Sequence, residues 1–107
     1  MSYAIDVNKT EFSSVVESEA KPVLIDFWAP WCSYCTRIAP VIDEIAGEVE
    51  DKAKCVKVNV DENANLAERY GVMMLPTLVV AMNGKEVDRL VGATDKSEIL
   101  AKLENYL

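Results

Sequence analysis

A run of strand-forming residues without polar alternation, Val23–Trp28, constrains the fold of this chain more than any other segment. A strand with one solvated face would alternate apolar and polar residues, so this run is typical of a central strand covered on both faces. Such covering needs further layers on each side of a sheet. Asp26 is the only acid in the run, and an acid in a buried strand needs an explanation.

Before this strand, an asparagine opens a helical pattern. After an apolar start at residues 4–7, Asn8 stands three residues ahead of Glu11, the spacing of an N-cap and the carboxylate that reaches back to it. The pattern predicts a helix over residues 9–20, with a buried stripe formed by Phe12, Val15 and Val16.

A second helix is expected directly after the central strand. It should begin near Cys32 and carry an apolar inner side made of Ile38, Val41, Ile42 and Ile45. Pro40 lies inside this pattern, where its missing N–H and its ring predict a kink.

A third strand and a short helix follow. Residues 55–60 are rich in strand formers, and Asn63 is expected to cap a helix that ends at Gly71. The alternation of strands and helices up to this point predicts parallel pairing through crossover connections.

The last third of the chain changes character. Two apolar-rich runs, Thr77–Met82 and residues 86–91, are joined around Asn83-Gly84, a dipeptide typical of a tight hairpin. A final helix over residues 95–107 should bury Ile99, Leu100 and Leu103. We therefore predict an α/β fold in a single domain over residues 1–107, with a mixed central sheet of about five strands flanked by four helices.

Composition excludes several functions. The chain has 107 residues and a formal net charge of −7, so it lacks the clustered cations that nucleic acids and anionic lipids require. Histidine is absent, which excludes imidazole catalysis and zinc sites that use histidine. We expect no nucleic acid, membrane, metal or cofactor partner, and a monomer.

The first residues suggest a cellular location. They show neither the basic start nor the apolar core of a signal peptide, so we expect a cytoplasmic protein. In a reducing cytosol, two cysteines at short spacing are more often catalytic or metal-binding than structural.

Cys32-Ser33-Tyr34-Cys35 carries the chemistry. The pair lies where a buried strand meets a helix, and the free N–H groups and dipole of a helix N-terminus favour a thiolate. Cys32 should be the attacking thiolate because it is closer to the helix end, and Cys35 should resolve the mixed disulfide. Two incidental thiols or half of a metal site are the alternatives. Cys55, on the third strand, is expected to be a buried core thiol.

These residues resemble the thioredoxin family over nearly the whole chain. The segment from Ile25 to Cys32 is similar to the family's active-site strand and approach, Pro40 to its helix proline, and Leu75-Pro76-Thr77 to its cis-proline loop. Asn83-Gly84 matches the hairpin, and residues 91–93 match a loop beside the dithiol. The resemblance implies the thioredoxin fold.

The resemblance also implies roles for single residues. Asp26 would be a buried acid that takes a proton from Cys35, and Lys57 on the neighbouring strand would moderate its charge or reach solvent instead. Pro76 in cis would place the backbone of Leu75 against the dithiol. Trp28 is expected to pack in the core. The implied substrate-binding surface, here called the collar, consists of Trp31, Val60, Met74, Leu75, Pro76, Val91, Gly92 and Ala93.

Two departures from the family pattern stand out. Ser33 and Tyr34 replace the usual Gly and Pro, which restores an N–H and adds a hydroxyl that could stabilise the Cys32 thiolate. We therefore expect a less reducing couple than in the Gly-Pro form. Met73 and Met74 replace the usual Arg and Gly, which changes the shape of the collar.

The resemblance implies an enzyme, a thiol–disulfide oxidoreductase that reduces protein disulfides through a mixed disulfide. Its partners would be protein disulfide substrates and a thioredoxin reductase that depends on NADPH, ferredoxin or another flavin system. A disulfide oxidase or isomerase, or a binding module whose redox activity is incidental, is the alternative on the same fold.

Overall fold

Five strands form one mixed sheet at the centre of the computed structural model, which describes residues 4–92 and 94–107. The strands are β1 (Ile5–Asp6), β2 (Val23–Trp28), β3 (Lys54–Asn59), β4 (Thr77–Met82) and β5 (Lys85–Val91). Their order across the sheet is β1-β3-β2-β4-β5. β3 pairs in parallel with both β1 and β2, whereas β4 runs antiparallel to β2 and β5. The predicted mixed sheet is therefore confirmed.

Helices cover the sheet on both faces. They are a π-helix at Ser13–Glu17 and three α-helices, α1 (Ser33–Glu48), α2 (Ala64–Arg69) and α3 (Lys96–Glu104). None of the helices in the described part of the chain has the length and apolar content needed to cross a bilayer.

β2 is the central strand that its sequence predicts. Its residues are buried except for the half-buried Trp28. Leu24 lies on the face that packs against α1 and α3, and Ile25 lies on the opposite face, which the N-terminal segment and α2 cover. Both faces are buried, so apolar residues at successive positions are favoured over alternation.

The first helix is shorter than the prediction of residues 9–20. Only residues 12–17 are helical, and Ser13–Glu17 form the π-helix. The N–H and the hydroxyl of Ser18 both donate to the carbonyl of Ser13, and the Ser14 hydroxyl donates to a backbone carbonyl three residues earlier. These serine side chains compete for backbone groups that a regular α-helix would use, which explains the short, wide helix.

The two asparagines predicted as helix caps behave differently. The Asn8 side chain accepts from the N–H of Glu11 at 3.0 Å, and the Glu11 carboxylate accepts from the Asn8 N–H at 3.2 Å, so the predicted reciprocal hydrogen bonds form. They close a turn over residues 9–11 and do not cap the helix, whose N-cap residue is Phe12. Asn63 precedes α2 but makes no side-chain cap. Its amide instead accepts from the N–H of Lys9 and donates to the carbonyl of Asn59, so it ties the N-terminal segment to the end of β3.

α1 starts where the sequence predicts, and its buried residues include Ile38, Ile42 and Ile45, whereas Val41 is only partly buried. Pro40 lies inside a helix that continues to Glu48.

The later elements differ from the predictions only at their ends. β3 begins and ends one residue earlier than predicted, and β5 begins one residue earlier. α3 is shorter than residues 95–107 because Asp95 is its N-cap, accepting the Glu98 N–H at 2.9 Å, and the chain beyond residue 104 forms turns. Leu100 is only partly buried, while Ile99 and Leu103 are fully buried.

The predicted hairpin turn joins β4 to β5 through Asn83 and Gly84. Both have positive φ, 53° and 82°, as a two-residue turn with this twist requires. The Tyr70 hydroxyl donates to the Gly84 carbonyl at 2.5 Å, so the turn is held by a buried side chain from the end of α2.

Gly84→Ala should destabilise the fold more than Gly71→Ala. Both glycines have positive φ, which costs about 1 kcal/mol for an L-residue. A Cβ at Gly84 would lie 2.9 Å from the Cγ of Glu17, whereas one at Gly71 would meet nothing within 4 Å. We expect losses of about 2 and about 1 kcal/mol, measured by urea unfolding at an unchanged slope. Equal losses would contradict the role of the Glu17 contact.

Candidate active site

Cys32 and Cys35 form a disulfide at the N-terminus of α1, with their Cα atoms 5.2 Å apart. Cys32 is the N-cap residue, with extended backbone, and its sulfur accepts from the Cys35 N–H at 3.2 Å. The sequence suggested the Tyr34 N–H and the Ser33 hydroxyl as donors to this sulfur. In this oxidised state the donor found among the described residues is the Cys35 N–H.

The two cysteines differ slightly in exposure. Cys32 is 7% exposed and Cys35 is 2% exposed, and both pack in one small cluster with Ala29, Trp28 and Leu75. Cys32 is also the closer of the two to the positive end of the α1 dipole. Access and helix position therefore favour the same sulfur for attack on another disulfide.

Asp26 is buried in the centre of β2, on the face that α1 covers. Its Cα partners are Lys57 in β3 and Leu78 in β4, and Leu78 belongs to the cluster that packs against α1 and α3. Neither carboxylate oxygen has a hydrogen-bond partner within the described ranges. Burial raises the pKa of Asp26 to about 7; Lys57 lowers this pKa and Asp6 raises it further. A carboxyl group with such a pKa can exchange a proton near neutral pH.

Lys57 lies beside Asp26 and is half-buried. Its Nζ lies 5.1 Å from the centre of the Trp28 ring, a cation–π contact. Lys57 thus lowers the pKa of Asp26 and also contacts Trp28, which packs on the cysteine cluster.

The loop before β4 brings a backbone segment to the dithiol. The Leu75–Pro76 bond is cis, as the resemblance implied, and Leu75 packs against the cysteine cluster. The Thr77 hydroxyl donates to the Met74 carbonyl at 2.5 Å, and the Gly92 N–H donates to the Pro76 carbonyl at 2.9 Å. These hydrogen bonds hold the loop between the active-site helix and β5.

The collar residues vary widely in exposure. Trp31 is 70% exposed, Met74 and Val91 are also exposed, and Val60, Leu75 and Gly92 are half-buried. Pro76 is buried. Ala93 lies outside the described residues. The neighbouring Met73 is 92% exposed, which makes it the most accessible large apolar side chain among the described residues.

An apolar pocket of about 210 Å³ lies within this surface. It is lined by Trp31, Val60, Ala67, Val72, Met73 and Leu75. The Trp31 Nε1 donates to both carboxylate oxygens of Asp61 at 3.1 Å, which fixes the indole at the edge of the pocket.

Two contacts at the site were not predicted from the sequence. Asp61 holds Trp31 across 30 positions of sequence, and no local pattern indicates such a contact. Arg37 places its guanidinium 5.1 Å from the centre of the half-exposed Tyr34 ring. Their i, i+3 spacing on α1 is a signal that could have identified this pair.

Cys55 is separate from the reactive pair. It is a free, buried thiol in β3, and burial raises its pKa to about 12. Such a thiol is inert toward disulfides near neutral pH, in agreement with the expectation of a core residue. The described part of the chain contains no cluster of three or more potential metal ligands.

The site combines a disulfide at a helix N-terminus with a buried carboxyl group on the same side of the sheet. This combination defines a redox-active dithiol site. Such a site performs dithiol–disulfide exchange without a metal ligand set or an imidazole.

Comparison with known proteins agrees with this class. The family model for thioredoxin matches residues 3–105. The chain is 46% identical to a thioredoxin of Synechocystis sp. and 47% identical to thioredoxin 1 of Nostoc sp., in both cases over the full length of both chains. It is 50% identical to a chloroplastic M-type thioredoxin of Chlamydomonas reinhardtii, over 94% of this chain and 72% of that protein. The chain belongs to the thioredoxin family, and it is a thiol–disulfide oxidoreductase.

Asp26→Asn should stabilise the oxidised protein at high pH. Because the pKa of Asp26 is about 7 in the fold, against 3.8 for a free carboxyl group of this type, the folded state binds a proton that the unfolded chain releases. Stability therefore falls as pH rises from about 4 to about 7. The variant should gain up to roughly 4 kcal/mol above about pH 7 and nothing from this source below about pH 4.

Urea unfolding at both pH values measures this difference. Glu62→Gln, which removes one charge from an exposed position, is the matched control and should show no comparable gain. An equal gain for Asp26→Asn at both pH values would contradict the buried-charge explanation.

Proposed function

We propose that this chain reduces disulfides of other proteins, with Cys32 as nucleophile, Cys35 as resolving thiol and Asp26 as the acceptor of the Cys35 proton. One observation carries the proposal. The sulfur of Cys32, the less buried of the two cysteines, caps α1, while a buried carboxyl group with no hydrogen-bond partner among the described residues lies on the α1 side of the sheet, where Cys35 is also buried.

Reduction would proceed in two exchanges. The Cys32 thiolate attacks one sulfur of the client disulfide, forms a mixed disulfide and releases the other client sulfur as a thiolate. Cys35 then attacks the Cys32 sulfur, which forms the Cys32–Cys35 disulfide and releases the second client thiolate. The client gains two electrons, and the protein ends in the oxidised state that the structure describes.

Asp26 would act in the second exchange. Cys35 must lose its proton to attack, and it is almost fully buried, so bulk water has poor access to it. A carboxyl group with a pKa of about 7 is partly ionised near neutral pH and still basic enough to take that proton. Protonation of Asp26 at lower pH should slow the release of the client.

The collar supports a protein rather than a small molecule as substrate. Its exposed apolar side chains form a shallow surface, and the pocket of about 210 Å³ beside Trp31 fits a single apolar side chain. An extended client segment could also hydrogen-bond to the loop backbone at Leu75. Tyr34, Met73 and Met74 would then decide which clients fit best.

The family implies protein substrates and a thioredoxin reductase as partners. The reductase would draw electrons from NADPH, from ferredoxin or from another flavin system. The cytoplasmic location remains a prediction, and a reducing compartment would suit the proposed direction of electron flow.

Cysteine variants should separate reduction from incidental redox activity. In an insulin-reduction assay with dithiothreitol, Cys32→Ser should abolish the activity because the attacking thiolate is lost. Cys35→Ser should lose turnover but accumulate a mixed disulfide with its client, visible on a non-reducing gel. Cys55→Ala is the matched control and should keep its activity, since Cys55 is buried away from the pair.

Full activity of Cys32→Ser would refute the carrier function and favour a binding module. Loss of activity in Cys55→Ala, with its fold intact, would place a third thiol in the reaction.

The reduction potential of the dithiol should depend on Ser33 and Tyr34. An additional donor near the Cys32 thiolate favours the dithiol, so we expect the native chain to be less reducing than Ser33→Gly/Tyr34→Pro. A difference of about 30 mV would correspond to roughly 1.4 kcal/mol. Redox titration of both proteins against dithiothreitol buffers measures the difference, and equal potentials or the reverse order would refute the expectation.

A further inference from the structure

A row of three charged residues crosses the sheet at the level of Asp26. In the parallel register of β1, β3 and β2, Lys57 is the Cα partner of Asp6 on one side and of Asp26 on the other. Cα partners in adjacent strands direct their side chains to the same face. The lysine therefore has one carboxylate on each side.

Packing of β1 agrees with this orientation. Ala4, two residues before Asp6, belongs to the cluster on the α1 side of the sheet, together with Cys55 of β3. A period of two places Asp6 on the side of Ala4, and Lys57 on the side of Cys55. Asp6 itself is exposed, Lys57 is half-buried, and Asp26 is buried. The row therefore leads from solvent to the buried acid.

A cleft opens at the outer end of the row. It has a volume of about 380 Å³, and Asp6, Lys57 and Trp28 are among the residues that line it. Lys57 is thus accessible from this cleft, on the side of Asp6, while its other neighbour in the row is Asp26.

We propose that Asp6 is a positioning residue for the exchange reaction: its charge partly offsets that of the Lys57 ammonium group and so raises the pH at which the buried Asp26 carboxyl group loses its proton. The inference rests on the proposed function, because the proposed function assigns the proton transfer to Asp26. It adds a residue outside the dithiol site and outside the collar.

Distance sets the size of the effect. Neighbouring strands lie about 4.8 Å apart, so the backbones of Asp6 and Asp26 are separated by about 10 Å. At that distance one charge moves a protonation midpoint by roughly 0.3 unit in a water-like dielectric and by about 1 unit in a more protein-like one. The Asp6 charge raises the pKa of Asp26, in line with this direction.

Other titratable groups lie near the row but are not part of it. Glu11 and Glu62 line the same cleft but lie off the row. Cys55 lies two residues before Lys57, and its pKa is raised by burial, with smaller contributions from Asp26 and Asp43. On the α1 side Asp43 acts on Cys55, and Cys35 does not titrate because it is held in the disulfide. β4 contributes the uncharged Leu78.

The test is a titration of the Asp26 carboxyl carbon by NMR in the oxidised protein labelled at aspartate, with Asp26→Asn identifying the signal. Asp6→Asn should lower the midpoint by about 0.3 to 1 unit, because the negative charge of Asp6 no longer offsets the positive charge of Lys57. Asp6→Glu keeps the charge and should restore most of the native midpoint. Glu62→Gln removes the same charge from the same cleft and should move the midpoint less than Asp6→Asn does.

The pH dependence of insulin reduction is the second readout, measured for the same proteins. Its lower limb should move to lower pH in Asp6→Asn by the same amount as the NMR midpoint, and a loss of fold alone would not produce such a shift. The inference is overturned if Asp6→Asn leaves the midpoint unchanged, raises it, or matches Glu62→Gln.

Failure of the proposed function would look different. In that case Asp26→Asn would keep the native pH profile, which would remove the role of Asp26 and with it that of Asp6. An altered profile in Asp26→Asn together with an unmoved midpoint in Asp6→Asn would overturn the Asp6 inference alone.

Discussion

The desolvation of one carboxyl group, Asp26, in the central strand is the constraint on which the rest of this structure depends. A charged side chain there is costly, and its two oxygens have no hydrogen-bond partner in the described structure. The apolar residues of β2 and of both faces of the sheet offset that cost. The result is an acid whose pKa lies near neutrality without a histidine or a metal.

The dithiol chemistry follows from two backbone features that surround this acid. The end of β2 delivers the chain to the N-terminus of α1, where Cys32 takes the cap position and Cys35 lies one turn further inside. The cis-proline loop closes the other side of the pair with Leu75. The helix dipole acts on the Cys32 sulfur and burial acts on the Asp26 carboxyl group, while the loop places Leu75 against the cysteine pair.

Sequence reasoning succeeded where local pattern and tertiary structure agree. A few neighbouring residues are enough to predict the β2 strand, the apolar stripe of α1 and the Asn83-Gly84 turn. It failed at the first helix, where serine side chains compete for backbone groups, and at Asn63, whose amide bonds to distant backbone rather than to its own helix. The Trp31–Asp61 contact was also beyond its reach, because the partner comes from a different loop. Local patterns hold no information about which loops meet.

The register of β1 is another feature that local sequence patterns do not reveal, and it bears on the proposed role of Asp6. β1 has only two residues, too few for a strand pattern, yet its pairing decides that Asp6 rather than Ile5 shares a face with Lys57. A shift of one residue would direct Asp6 to the opposite face and leave Lys57 to Asp26 alone. The N–H of Val7 donates to the Lys57 carbonyl, and Asn63 binds the backbone at Lys9, so contacts on the C-terminal side of β1 fix this register. Under the proposed role of Asp6, the proton affinity of the buried acid depends on an edge strand remote in sequence, whereas the proposed choice of client depends on the exposed collar. The two proposed properties belong to different residues and would vary independently.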